Sequence, residues 1–355
     1  MELVCGRFEN VAVIYCGANT FELGFVKDYP SIKGLVWCQG LGQSGFDSLG
    51  RVMSGAVNPS GKTSDTFAKD ISKMPWYQNF GDFAYDNVDD LGFDTQDQLI
   101  GVNKPHFVNY VEGIYVGYRF YETASDEGLI NYEDEVLYPF GYGLSYTTFE
   151  QTVGELAADA DGNITVDVTV TNTGDTAGRD TVELYVNPPY TNGGIEKASV
   201  NLIAFDKTDV LEPGQSQTLT LSFTAENMAS FDTYGKGAYV LEKGDYIISL
   251  RSDSHHVIDE REYKAEKTIV YDSENKRSTD ETAAVRVFEF AEGDVTYLSR
   301  ADGFANYEEA TAAPASYSMS DEIKAAYVNT GNYNPKDHNL PEDEMPATGT
   351  DHGKN

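Results

Sequence analysis

YVEGIYVGYRFYETASDEGLINYEDEVLYPFGYGLSYTTF, residues Tyr110 to Phe149, separates two kinds of sequence pattern. Eleven of these 40 residues are Tyr or Phe, against 12% aromatic for the whole chain. A solvated linker is rich in Gly, Ser, Pro and charge and avoids such apolar surface. The rings therefore have to be buried, and the stretch reads as a packed connector between two bodies. Gly113 and Gly117 sit among the rings of its first half. Gly141 and Gly143 alternate with Phe140, Tyr142 and Leu144 in the second, as expected where the backbone needs unusual φ or close approach.

On the N-terminal side, Val11–Cys16 is a continuous apolar run ending at Gly17, and Gly34–Cys38 is another. Such runs predict parallel strands covered on both faces. Phe46, Leu49, Val52 and Met53 then recur at helical spacing, and Asn58-Pro59-Ser60-Gly61 makes a turn. The segment reads strand, Gly-rich turn, helix, with too few flanking strands to close a core. On the C-terminal side the period changes to two. Ile164, Val166, Val168 and Val170 alternate with polar residues, as do Val182, Leu184 and Val186, then Leu219, Leu221 and Phe223, then Tyr246, Ile248 and Leu250. Turn signals at Asp161-Gly162, Thr173-Gly174-Asp175, Glu212-Pro213-Gly214 and Lys243-Gly244-Asp245 predict an antiparallel sandwich. Residues 272–355 are acidic and poorly periodic, with Val285–Phe290 their one strand candidate. The fold class is α/β plus all-β: a partial α/β domain, an antiparallel β-sandwich and an irregular acidic tail.

The 355 residues leave room for two domains, and 40% hydrophobic content suits a globular chain. The formal charge of −33 argues against nucleic acid or an anionic membrane as partner and is compatible with a neutral sugar. Apolar runs stay well short of the ~18 residues of a membrane span. Met1-Glu2-Leu3 opens without a basic n-region or long h-region, so a cytoplasmic location is expected. Cys16 and Cys38 fall in the apolar runs and, with Cys5, read as free thiols of a reducing compartment, the first two as small core residues.

Several patterns imitate known sites. GLGQSG, Gly40 to Gly45, matches a dinucleotide fingerprint, but AVNPSGKTSDTF follows its helix where a second apolar strand should stand. Gly61-Lys62-Thr63 ends like a P-loop, yet Ala56 replaces its first glycine and Pro59 removes a donor. Ser44 has Phe46 in place of the second glycine of a nucleophile elbow. Asp159-Ala160-Asp161-Gly162-Asn163 has its glycine misplaced for an EF-hand and reads as a hairpin turn. His255-His256 reads as a surface loop. Neither a metal nor another cofactor is expected.

EGIYVGYR and PFGYGLSYTTF, taken together, resemble the junction of glycoside hydrolase family 3 between its α/β sandwich domain and its fibronectin-III-like domain. LVWCQGLGQSGFDSLGRVMSGAVNPSGKTSDTF is similar to the family's strand, PGQEG turn, helix and NPSGRLPVTF, with Leu41 and Ser44 replacing a proline and a glutamate. VTNTGDTAGRDTVELYVNPP and LIAFDKTDVLEPGQSQTL look like its fibronectin-III-like domain. The resemblance implies a partial α/β sandwich domain over 1–120, the aromatic connector over 121–150, a fibronectin-III-like sandwich over 151–271 and an extension over 272–355. VTYLSRADGFANYEEA and MPATGTDHGKN resemble the lead to a barrel placed last, as in circularly permuted members, which implies a chain truncated at both ends. Met345–Gly349 is also similar to a cell-wall sorting signal.

The activity implied is a retaining β-glycosidase, β-glucosidase-like, acting on terminal β-linked sugars of glycosides or oligosaccharides. Retaining enzymes need two carboxylates about 5–5.5 Å apart. In this family the nucleophile lies on the barrel and the acid/base precedes the strand matching Val11–Cys16. Glu2 and Glu9 lack its motif context, so no catalytic residue is assigned, the substrate-binding residues stay open, and the 355-residue chain is expected to be inactive by itself. Glu112 and Asp65, the acids within matched motifs, are expected to be structural hydrogen-bond acceptors. Arg119 is expected to spend its donors on carbonyls and ring faces, with carbonyls or a carboxylate of the PFGYGLSY segment or the sandwich as its acceptors. The expected partners are a β-linked glycoside and the barrel of the same polypeptide. The alternative is a non-catalytic β-sandwich protein for carbohydrate binding or surface adhesion.

Overall fold

The computed structural model describes residues 1–81, 83–87, 106–286, 289, 292 and 295–326. MPATGTDHGKN, with its sorting-signal resemblance, lies outside the described residues. So do Val287, Phe288 and Phe290 of the strand candidate, while Val285 and Arg286 are irregular backbone. The larger of two compact units comprises 1–79, 109–287 and 295–313.

The α/β segment pairs β1 (Val11–Tyr15) with β2 (Ile32–Trp37) in parallel, followed by the helix Gly45–Met53. The coverage expected on both faces is not found. Ala12 and Ile14 of β1 are exposed, and so are Phe46 and Met53 of the helix, which has no buried residue. The apolar pattern is that of a covered sheet, and the described neighbours leave one side of it open. Cys16 is likewise exposed and Cys38 half-buried, so neither is the core residue its apolar run suggested. β3 (Phe67–Ala68) leaves this sheet and pairs antiparallel with the later strand Val136–Tyr138. Phe67, Leu23 and Leu137 form a small core there, with Trp37 edge-on to Phe67 at 4.9 Å.

The smaller unit joins β4 (Phe83–Ala84) antiparallel to β5 (His106–Phe107). Phe107 meets Phe83, Tyr85 and Tyr317 ring to ring, and Asn87 exchanges two hydrogen bonds with the backbone of Met319.

In the larger unit, β6 (Val136–Tyr138) leads to the sandwich. Its strands are β7 (Phe149–Ala158), β8 (Asn163–Asn172), β9 (Thr181–Asn187), β10 (Asn201–Lys207) and β11 (Ser216–Thr224). There follow β12 (Ser230–Asp232), β13 (Ala238–Leu241), β14 (Gly244–Arg251), β15 (Val257–Ala265) and β16 (Ile269–Tyr271). A sheet of order β10-β9-β14-β15 faces one of order β11-β8-β7, with β12-β13-β16 as a smaller third. The alternating residues do what the period predicts. Ile164, Val166, Val168 and Val170 are fully buried, against Val182, Leu184, Ile248 and Leu250 of the facing sheet. Each such side chain contributes roughly 1.5–3 kcal/mol on full burial. Arg261 joins the sheets along one edge, donating from Nε to the Gly154 carbonyl at 2.9 Å and from a terminal nitrogen to Val153 at 2.8 Å.

Candidate functional site

The connector is where the chain concentrates its buried polar chemistry. Gly117, at φ 58°, starts the helix Tyr118–Asp126, in which Phe120 to Ala124 are buried without a break. A helix buried all round must be enclosed by several elements. Phe304 and Tyr307, from the segment after residue 295, pack on Phe120, while Tyr115 meets Phe304 edge-on at 5.0 Å. On the other side Tyr118 stacks on Phe140 at 4.6 Å and accepts a hydrogen bond from the Leu202 amide. The acidic extension is thus partly core, a role its composition hid.

Two motifs singled out in the sequence hold each other. Asn58 accepts at Oδ1 from Ser145 Oγ at 2.9 Å and from the Tyr146 amide at 2.8 Å, and donates to the Ala177 carbonyl at 3.1 Å. The Thr63 amide donates to the Tyr142 carbonyl at 2.7 Å, and the Gly141 amide to the Thr63 carbonyl at 2.8 Å. NPSGKT and PFGYGLSY therefore form one clasp. With its amide and hydroxyl spent on this partner, Thr63 does not cradle a phosphate. A side chain at Gly143 would come within 2.3 Å of the Gly61 carbonyl oxygen, and one at Gly141 within 2.2 Å of Glu183, which explains both glycines. GLGQSG is no dinucleotide loop either, because the chain runs from its helix into this clasp and then into antiparallel β3.

A buried polar cluster lies between connector and sandwich. Glu122, 3% exposed, accepts from Ser254 Oγ at 2.8 Å and pairs with His255 Nδ1 at 2.9 Å. Tyr132 stacks flat on His255 with ring centres 3.6 Å apart. The hydrogen bond to Glu122 raises the His255 pKa against the opposing effect of burial. His256 turns to Asp253 instead. The histidine pair does occupy a loop, but His255 is half-buried and pinned. Arg251 donates to Ser249 Oγ and the Ser254 carbonyl, and lies over the Tyr185 ring. The Tyr185 hydroxyl donates to Glu183 at 2.6 Å, and burial pushes the Glu183 carboxyl up to about 7.

Of the acids in matched motifs, Asp65 is the expected acceptor, taking the Thr66 amide at 2.8 Å. Glu112 meets the expectation in part: its buried carboxylate accepts a hydrogen bond from its own backbone amide, which opposes the rise in pKa that burial causes, while its Oε2 has no hydrogen-bond partner among the described residues. Arg119 meets its expectation in part. Its guanidinium lies 5.9 Å from the Tyr118 ring centre, one of the ring faces expected, while its buried Nε has no hydrogen-bond acceptor among the described residues. Asp159 closes a hairpin, accepting from the Asp161 and Asn163 amides. Among the described residues no group of three or more His, Cys, Asp or Glu is placed to hold a metal, and no helix is long and apolar enough to cross a membrane.

An α/β segment clasped by an aromatic connector to a two-sheet sandwich defines a composite, multidomain class in which one part anchors the other. Residues 1–118 match the glycosyl hydrolase family 3 C-terminal domain, and residues 180–254 match a fibronectin type III-like domain. The chain carries the C-terminal α/β region of glycoside hydrolase family 3 joined to a fibronectin-III-like region. It is 34% identical over 69% of its length to beta-glucosidase A of Butyrivibrio fibrisolvens, and 31% identical over 83% to a beta-glucosidase of Ruminococcus albus. It spans 28% of the length of each. Among solved structures, a beta-glucosidase of Paenibacillus barengoltzii is similar at TM-score 0.62 and 33% identity, over 76% of this chain and 28% of that one. Beta-glucosidase 3B of Thermotoga neapolitana, solved with α-D-glucose, is similar at TM-score 0.58 and 29% identity, over 74% and 32%.

Proposed function

We propose that this chain serves a retaining β-glycosidase that hydrolyses terminal β-linked sugars, as its α/β and fibronectin-like part, with both catalytic carboxylates outside it: the nucleophile on a barrel and the acid/base on the α/β segment ahead of the strand matching Val11–Cys16. The observation that carries this reading is similarity to beta-glucosidases across both regions and the clasp between them. The open side of β1–β2 supports a further body of protein packing there. The acids within the matched motifs support non-catalytic roles here, since Asp65 is engaged with backbone and Glu112 is enclosed. In the assembled enzyme, one carboxylate attacks the anomeric carbon while the other protonates the leaving oxygen, and water then releases the sugar with retention. The substrate is proposed only as a β-linked glycoside, and the setting as cytoplasmic.

The test is an assay of the purified chain on aryl β-glucosides, alone and co-expressed with a family 3 barrel domain that carries the first part of the α/β domain, with its acid/base glutamate, attached. The chain alone should give no turnover above a buffer blank, and the pair should hydrolyse with retained configuration by NMR. Turnover by the chain alone that survives repurification would place the carboxylates within it. Oligosaccharide binding by the chain alone, with no activity in the pair, would favour a carbohydrate-binding or adhesion protein.

A further inference from the structure

Beyond the glycosidase reading stands a pair of thiols that the clasp and the buried clusters do not use. β1 and β2 run in register through Tyr15 opposite Trp37, and the Cys38 amide donates to the Tyr15 carbonyl at 2.9 Å. Cys16 and Cys38 are thus the next cross-strand neighbours, and their Sγ atoms lie 3.4 Å apart. Trp37 fixes the local backbone by donating from its indole nitrogen to the Gly17 carbonyl at 2.8 Å. In this chain by itself Cys16 is exposed and Cys38 half-buried, so a soluble oxidant can reach the pair.

We propose that Cys16 and Cys38 are a reversible dithiol–disulfide couple, oxidised by a small disulfide such as oxidised glutathione. The Sγ atoms need to close by roughly 1.4 Å to reach the bonded distance of about 2.05 Å, a change within the reach of side-chain rotation. Cys16, the more accessible, attacks first as thiolate. A bond forms from its sulfur to one glutathione sulfur, the glutathione disulfide breaks, and one glutathione thiolate leaves. Cys38 then loses its proton and attacks Cys16 Sγ, displacing the second glutathione thiolate. One oxidised glutathione becomes two reduced, and the protein loses two hydrogens. Burial, reinforced by the neighbouring Cys16 sulfur, pushes the Cys38 thiol up to about 11, which suits the resolving partner better than the initial nucleophile. The bond would tie the ends of β1 and β2 where Gly17-Ala18-Asn19 and the GLGQSG turn leave the sheet. In a reducing compartment such a pair rests as thiols and responds to oxidative change.

The test incubates the full chain over a series of reduced-to-oxidised glutathione ratios and follows free thiols, intact mass and peptide cross-links. The expected result is loss of two of the three thiols, a mass lower by two hydrogens, a Cys16–Cys38 linked peptide, and full reversal by dithiothreitol. Cys38→Ser should retain one glutathione on Cys16, because nothing resolves it, and Cys5→Ser should behave as wild type. Wild type that keeps glutathione on Cys16 as Cys38→Ser does would overturn the couple. So would a link through Cys5, a disulfide between two chains, or three thiols surviving the most oxidising ratio.

Discussion

His255 Nδ1 lies 2.9 Å from Glu122 Oε2, and this contact joins the loop after β14 to the helix of the connector. Ser254 occupies the other carboxylate oxygen, and Tyr132 covers the imidazole. Asp253 and Glu133 add to the field that favours imidazolium, and burial opposes it. A charge-assisted hydrogen bond of this kind contributes about 1.5–3 kcal/mol, and partial exposure of the ring puts it at the low end. The folded His255 pKa lies above the unfolded value of about 6.5. Its contribution is therefore complete below about pH 6.5 and lost as pH rises through the folded value. His255→Gln should lower the melting temperature most at pH 6, with the deficit shrinking toward alkaline pH. A deficit that does not change with pH would assign the role of His255 to its packing on Tyr132.

Glu183 gives the same direction of pH dependence from a different cause, burial that penalises its charged form. Its carboxyl is raised by burial to about 7, against an ordinary value of 4.5, while the Tyr185 hydroxyl and Lys62 hold it down. Between those values the native state binds more protons than the unfolded one, so its contribution to stability falls as pH rises from about 4.5 to 7. Glu183→Gln keeps an acceptor for Tyr185 and removes the titration. The variant should match wild type near pH 4.5 and exceed it at pH 8 by on the order of 3 kcal/mol, read from urea melts. A variant less stable at both pH values would mean that the carboxylate is better compensated than its burial implies.

Gly143 and Gly61 face each other across the clasp, and the two substitutions are not equivalent. A Cβ on Gly143 meets the rigid Gly61 carbonyl oxygen at 2.3 Å, whereas a Cβ on Gly61 meets nothing within 4 Å. Gly143→Ala should cost about 1–3 kcal/mol, the scale of overpacking against backbone, and Gly61→Ala should be nearly neutral. Equal melting temperatures for the two variants would show that the clasp gives way at little cost.

The sandwich was legible in the sequence because its strands bury one face at period two, and each alternating valine or leucine named that face. The clasp was legible as motifs, though its pairing of Asn58 with Ser145 was not, since hydrogen bonds between distant turns leave no periodic trace. The Glu122–His255 contact was hidden for a related reason. Glu122 stands among acids in the connector and His255 in a polar loop, so both look solvated until tertiary packing brings them together. Cys16 and Cys38 misled in the other direction, because apolar runs show which residues suit a covered sheet and not what covers it. The role of Phe304 and Tyr307 was lost in an acidic stretch whose isolated apolar residues have no helical or strand period.

The last expectation concerns where the sandwich ends as a folding unit. An isolated sheet face should alternate buried and exposed residues, yet β9 is buried from Thr181 through Val186. Val182, Leu184 and Val186 face the sandwich core, so Glu183 and Tyr185 must be covered from outside, and the connector does this with Tyr118 and Gly141. Residues 147–271 contain the whole inner core and should fold alone. Without the connector, however, they expose Tyr185, Glu183 and the buried guanidinium of Arg251. A chain of residues 109–313 restores that cover and adds the packing of Phe120 on Phe304 and Tyr307. Burial of several aromatic side chains at roughly 1.5–3 kcal/mol each should make it more stable than 147–271 by at least about 3 kcal/mol. Urea denaturation of the two chains measures this, and the longer one should also show the larger dependence on denaturant, in proportion to the surface it exposes on unfolding. Coincident midpoints and slopes would mean that the connector rests on the sandwich without stabilising it.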